Sequence, residues 1–232
     1  TARTLWLGVA GASSGFGIWA THFIAMLAYD PGVLMGFDME LTIASLAIAI
    51  VVTTIGLAVA AYFAGTVAAV AGGLLLGAGI TSMHYIGMAA MEVPGTIHWD
   101  TAYVVASIIC AGLFGALALV FCMRPQARLR DRALATVLMA LGVVSLHFTA
   151  MAAVTIEPGL MPAPDDTMLS TSLMVPLIAA VALSLLFTGL TAAVFARQAE
   201  LAANESTRQF AMLVQGVKDY AIYMLDPEGR VA

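Results

Sequence analysis

Six stretches of this 232-residue chain are apolar for long enough to cross a lipid bilayer: about 5–29, 40–63, 67–91, 101–123, 133–155 and 172–196. A hydrocarbon core about 30 Å thick takes roughly 20 helical residues. Backbone groups in lipid must bond within their own segment, which favours helices, and the runs lack the alternation of a barrel strand. The expected fold is therefore all-α, a polytopic membrane bundle of six transmembrane helices. Composition points the same way. The chain is 62% hydrophobic and 10% charged, against about 25% charged residues in ordinary globular proteins. Nine basic and fourteen acidic residues are too few to cover a soluble globule of this size. That balance excludes a cytosolic enzyme or a disordered tail, and no basic face is present for nucleic acid. Two cysteines, Cys110 and Cys122, exclude a disulfide scaffold and a multi-cysteine zinc site, and both are read as buried thiols. No run carries a signal-peptide pattern with a cleavage site, so none is read as removable.

The charges are sorted along the chain. Six spans leave both termini on one side, together with the loop holding Arg124, Arg128, Arg130 and Arg132. That side carries all nine basic residues. The opposite connections, 30–39, 92–100 and 156–171, have none, and hold or border Asp30, Asp38, Glu40, Glu92, Asp100, Glu157, Asp165 and Asp166. The positive-inside rule then places both termini in the cytoplasm. From Arg197 the chain turns polar. Residues 1–196 are expected to form the membrane domain and 197–216 a cytoplasmic helix that continues the sixth span. Residues 217–232, with a strand at Tyr220–Asp226 and a turn at Pro227–Gly229, read as the truncated start of another domain.

An internal repeat carries the chemistry. His22, His84 and His147 stand 62 and 63 residues apart, one helix pair each, within GIWATHFIAM, GITSMHYIGM and GVVSLHFTAM. Each His is followed by Met at i+4 (Met26, Met88 and Met151), on the same helix face. A Gly at i−5 (Gly17, Gly79 and Gly142) and a small residue at i+3 suit close helix contact. All three spans run the same way, so the pairs share one depth, and convergence of the odd helices would gather three imidazoles and three thioethers. Soft thioether with imidazole favours copper over zinc, and a haem with axial His or Met is the other chemical option. The candidate metal ligands are His22, Met26, His84, Met88, His147 and Met151. Met83, Tyr85, Met91, Asp30 and Glu92 are candidates for further ligation or support. A single intramembrane His is more often a packing residue, but three His–Met pairs at one depth weigh against packing alone.

The segment Met83-His84-Tyr85-Ile86 and its two partners resemble the MHYT domain of bacterial signalling proteins, over about residues 5–196. Only the second copy has Met-His-Tyr; the others read Thr21-His22-Phe23 and Leu146-His147-Phe148. The resemblance implies a sensory domain of the bacterial inner membrane that binds copper through Met and His and senses oxygen, carbon monoxide or nitric oxide. Family members precede PAS domains and the domains that make or degrade cyclic di-GMP, and Gln209–Ala232 resembles the opening of a PAS domain. The segment itself is then no enzyme, and for the full protein the resemblance implies a diguanylate cyclase, a cyclic di-GMP phosphodiesterase or both. Membrane lipid and a diatomic gas are the implied partners, and a homodimer suits output domains of this kind. Two rival readings are a metal transporter using the same pocket and a non-metal membrane sensor or anchor with packing histidines.

Overall fold

A computed structural model describes residues 2–30, 32, 35–63, 65–159, 168–216 and 230. Six α-helices account for most of them: α1 (Ala2–Leu27), α2 (Met39–Tyr62), α3 (Thr66–Ala89), α4 (Thr101–Cys122), α5 (Leu129–Met151) and α6 (Thr171–Gly216). Five short strands join them: β1 (Gly36–Asp38), β2 (Met91–Glu92), β3 (Gly95–Trp99), β4 (Val154–Pro158) and β5 (Met168–Ser170). The chain forms two compact units, Thr1–Leu185 and Leu186–Ala232.

The fold is the expected all-α membrane bundle, with five helices long and apolar enough to cross a membrane by length and composition: α2, α3, α4, α5 and Ser172–Met212 of α6. The first expected span, α1, is a helix of 26 residues, but its glycines, serines, two threonines and His22 keep it out of the set apolar enough to cross. Its small residues serve packing instead. A Cβ on Gly15 would lie 2.6 Å from the Ile50 Cα, so the α1 and α2 backbones touch at a point where any side chain would part them.

Sequential neighbours pack together. Helix α2 lies against α1 and α3, and α4 against α3 and α5. The odd helices α1, α3 and α5 also touch one another, so they form the inside of the first unit. The α2–α3 seam is a backbone contact, since a Cβ on Gly56 would fall 2.6 Å from the Gly72 carbonyl oxygen. In α6, Met174, Ile178 and Val181, spaced as one helix face, join the same buried core.

The helix ends show why elements begin where they do. Asp38 caps α2, its side chain accepting from Leu41 N at 2.7 Å, and Asp100 caps α4 by accepting from Ala102 N at 2.8 Å. Asp131 braces the start of α5, accepting from Arg128 N and pairing with Arg124, both at 2.9 Å. The connections expected as loops hold the strands. β1 lies between β2 and β5 in one antiparallel sheet, and β3 pairs with β4 from Gly95↔Pro158 to Trp99↔Val154. The α1–α2, α3–α4 and α5–α6 connections therefore meet at one end, and the odd helices run parallel toward it.

Helix α6 continues to Gly216, and its exposed second part belongs to the second unit. The strand and turn expected within 217–229 lie outside the described residues. One thiol corrects expectation: Cys110 is partly buried, but Cys122 is exposed at the end of α4.

Candidate metal centre

The three odd helices bring the repeat histidines to one point. His22, His84 and His147 are 1%, 0% and 5% exposed. The Nδ1 atom of His22 lies 3.1 Å from that of His84 and 3.3 Å from that of His147. One ring nitrogen from each of the three falls within 4.8 Å of the others. The rings pack edge to face, with centroids 4.8 to 5.3 Å apart.

Hydrogen bonding alone satisfies this cluster poorly. A neutral imidazole nitrogen is either a donor or an acceptor, and His22 Nδ1 faces two others at once. The far nitrogens, His22 Nε2 and His84 Nε2, are buried without a hydrogen-bond partner. Unsatisfied polar atoms in an apolar interior are costly. A cation between the Nδ1 atoms would take the lone pairs that otherwise face one another there, while leaving the two Nε2 atoms as they are. Three nitrogens held about 2.0–2.1 Å from one tetrahedral ion stand about 3.3–3.4 Å apart. The two Nδ1 separations, 3.1 and 3.3 Å, are close to that spacing. Two of the three separations therefore suit a single metal ion, and each histidine offers a ring nitrogen within 4.8 Å of the others.

The remaining candidates are placed as follows. Met26 and Met88 are fully buried, and both belong to the hydrophobic core of the bundle together with Met83 and Met91, while Met151 packs half-buried against it. Tyr85 sets its ring 5.1 Å from that of His84 and shares a 2.8 Å hydrogen bond with the buried Ser107 of α4. Asp30 is exposed and accepts from Gly32 N at 2.9 Å, and Glu92 sits half-buried in β2 opposite Gly36. Among the described residues, neither acid belongs to the histidine group.

Two supports, Gly87 and Phe37, were hidden in the sequence, and Phe23 packs between helices as its place beside His22 suggested. Gly87, three residues after His84, faces His22: a Cβ there would lie 2.6 Å from His22 Nε2. Its small size was visible, but not the ring it accommodates. Phe23 packs on His22 with centroids 4.8 Å apart, and Phe37 of β1 covers Phe23 at 5.4 Å. The glycines at i−5 divide. A Cβ on Gly79 or Gly142 would lie 3.3 or 3.2 Å from the Val52 or Phe114 Cβ, whereas Gly17 has nothing within 4 Å. Gly17 instead lines an apolar cavity of about 600 Å³ between α1 and α5, reaching Arg132 at the start of α5. His98 is exposed on β3, with Nε2 3.2 Å from a Glu157 carboxylate oxygen.

The family profile described as MHYT, bacterial signalling protein N terminal repeat, matches this chain twice, at residues 15–73 and 77–135. These ranges contain His22 and His84; the third copy, around His147, lies beyond them. The chain is 35% identical over 209 residues to a protein named an uncharacterized signaling protein of Caulobacter vibrioides, covering 90% of this chain and 26% of that one. It is 33% identical over 159 residues to the cyclic di-GMP phosphodiesterase NbdA of Pseudomonas aeruginosa, covering 66% of this chain and 20% of the relative. The bifunctional diguanylate cyclase/cyclic di-GMP phosphodiesterase MucR of the same organism is 31% identical over 211 residues, 86% of this chain and 30% of its own. The chain thus spans between a fifth and a third of the length of these curated relatives. No solved structure matches it. With two copies of the repeat covering half of its residues, and signalling proteins as its relatives, this chain belongs to the MHYT family of bacterial signalling membrane domains.

Proposed function

We propose that this domain is a metal-dependent sensor of the bacterial inner membrane, holding copper on His22, His84 and His147. The observation that carries the reading is the meeting of the three Nδ1 atoms inside an apolar bundle. Close ring spacing favours one small ion over a porphyrin, whose plane would need the rings apart. Met26, Met88 and Met151 supply soft sulfur in the same core, which favours copper over zinc. Met83 and Met91 add thioethers nearby, and Tyr85 orients His84 from the side. Asp30 and Glu92 contribute negative charge toward the same end of the bundle.

Bound copper would supply a centre whose coordination or oxidation state responds to oxygen, carbon monoxide or nitric oxide. The chain's own residues hold the rings in register, exclude water and join three helices at the site. A change at the site alters how α1, α3 and α5 pack, and α6 leads toward a cytoplasmic output. The relatives named for cyclic di-GMP synthesis and breakdown support that kind of output in the full protein. The arginine-bearing end faces the cytoplasm in this reading and the strand-bearing end the periplasm, following the charge asymmetry.

Elemental analysis and an absorption spectrum of purified protein test the reading, wild type against His84→Ala. One copper per chain in wild type, with affinity lowered more than about 100-fold in the variant, is expected, since losing a ligand should exceed the loss from an outer-shell change. Wild type that stays metal-free after copper loading sinks it, and a Soret band would replace copper with haem. The mutual contacts of the rings also suit histidines that merely glue helices together, and unchanged signalling in the triple His→Ala variant would favour that reading.

A further inference from the structure

The histidines are almost wholly buried, so an ion bound there needs a way in. The end of the bundle nearest the cluster carries the sheet β2-β1-β5. Its central strand puts Phe37, fully buried, over Phe23, which in turn packs on His22. Bare charge crossing such an aromatic plug would be costly. Methionines flank the plug on each side. Met39 follows β1 and is 41% exposed, Met35 precedes β1 and is half-buried, and Met91 pairs with Phe37 across β1 and β2 and is 5% exposed. From Met91 the thioethers continue down α3. Met88, in the last turn of α3, lies three residues before Met91, and His84 lies one helical turn further along the same face of α3. Exposure thus falls from Met39 through Met35 and Met91 to none at Met88 and His84.

We infer that Met39, Met35 and Met91 form a thioether inlet that passes a soft monovalent cation, Cu(I) or its redox-silent analogue Ag(I), from the outer surface to Met88 and the histidines. This rests on the metal reading above. A thioether is a weak acceptor for protons and hard ions but a good ligand for Cu(I). Its flexible side chain can hand an ion onward without rearranging the backbone. No bond other than metal–sulfur or metal–nitrogen changes, and the oxidation state is preserved throughout. A strongly hydrated divalent ion such as Zn(II) gains nothing from such a route.

The test separates rate from capacity. The whole chain, in lipid nanodiscs, receives Cu(I) from its coloured bicinchoninate complex, and the loss of colour reports transfer. The comparison is wild type against Met35→Leu/Met39→Leu, swaps that nearly conserve volume, with Met91 left in place because it stands beside the centre. Both proteins are expected to end with one Cu(I) per chain, the variant on the order of ten-fold more slowly. Zn(II) uptake, followed with a chromogenic zinc indicator, is expected at equal rates in both. Equal Cu(I) rates would overturn the inlet while leaving the metal centre standing. A variant with lower final Cu(I) content would overturn it too, because these methionines would then be ligands. Slowing of Zn(II) to the same degree would mark a distorted cap and equally overturn it. Wild type that takes up no Cu(I) removes the centre and the inlet together.

Discussion

The odd and even helices of the first unit are similar in length and differ in what they bury. Helices α2 and α4 bury only about a quarter of their residues, with Ile43, Val51 and Ile55 on one and Val105, Ile109 and Leu113 on the other exposed where lipid would lie. Their buried residues are few and mostly small: Ala49, Gly56 and Ala60 on α2, Ala111, Gly115 and Ala118 on α4. Helices α1, α3 and α5 carry the histidines, and half of the α3 positions are buried. In lipid, an apolar side chain gains little by leaving the bilayer for the protein, so packing quality and polar contacts decide which face turns inward. The less apolar helix of each pair is the one that meets the other two odd helices, and its histidine lies at that meeting point. Polar residues that would read as defects in a span are what put it there.

That contrast can be broken by changing single atoms, most severely at the site. Gly87→Ala should push the His22 ring aside, because the new methyl would meet Nε2. We expect copper affinity to fall about 10–100-fold, as for changes that disturb ligand orientation, and the domain to lose about 1–3 kcal/mol from overpacking. Chelator competition and thermal melting in micelles read the two effects separately. Unchanged affinity would show that α3 does not position the α1 histidine.

At the seam between an odd and an even helix the effect should be structural only. Gly15→Ala drives a methyl into the Ile50 backbone, and a loss of about 1–3 kcal/mol is expected. Val51→Ala, one residue along α2 at a position 54% exposed, should stay within about 0.5 kcal/mol of wild type. Similar melting temperatures for the two variants would erase the distinction between the helix faces.

The smallest effect has the opposite sign. Gly17 has open space where its Cβ would be, so Gly17→Ala should stabilise by up to about 1 kcal/mol through helix propensity. A destabilised variant would mean that the cavity between α1 and α5 needs that bare backbone.

Much of this was legible in the chain. Repetition of His and Met at a spacing of one helix pair predicted that the odd helices share a chemical task, and the three rings do meet. Their convergence follows from a local rule applied three times, which a sequence displays. Contacts between copies are different. Nothing near Gly87 indicates that its neighbour is His22 rather than a lipid or another helix, and Gly17, with the same repeat position as Gly79, meets nothing. The sheet was hidden for a similar reason: β1 has three residues, and its partners, Glu92 and Ser170, come from connections 56 and 134 positions away. Asp30 looked poised over the pocket by spacing, but its nearest free N–H, that of Gly32, takes it up.

The sheet order β2-β1-β5 ties together connections from all three helix pairs. Each hairpin tip is hydrogen-bonded to another, so no pair can slide along the membrane normal without breaking bonds that its neighbours share. The three repeats are mechanically one body at that end, like spokes fastened to a common hub. Strand β5 runs directly into α6 at Thr171, so the start of the last helix is fastened to the same hub as the first repeat. A local disturbance beneath β1 is thereby shared among all the tips instead of being absorbed by one.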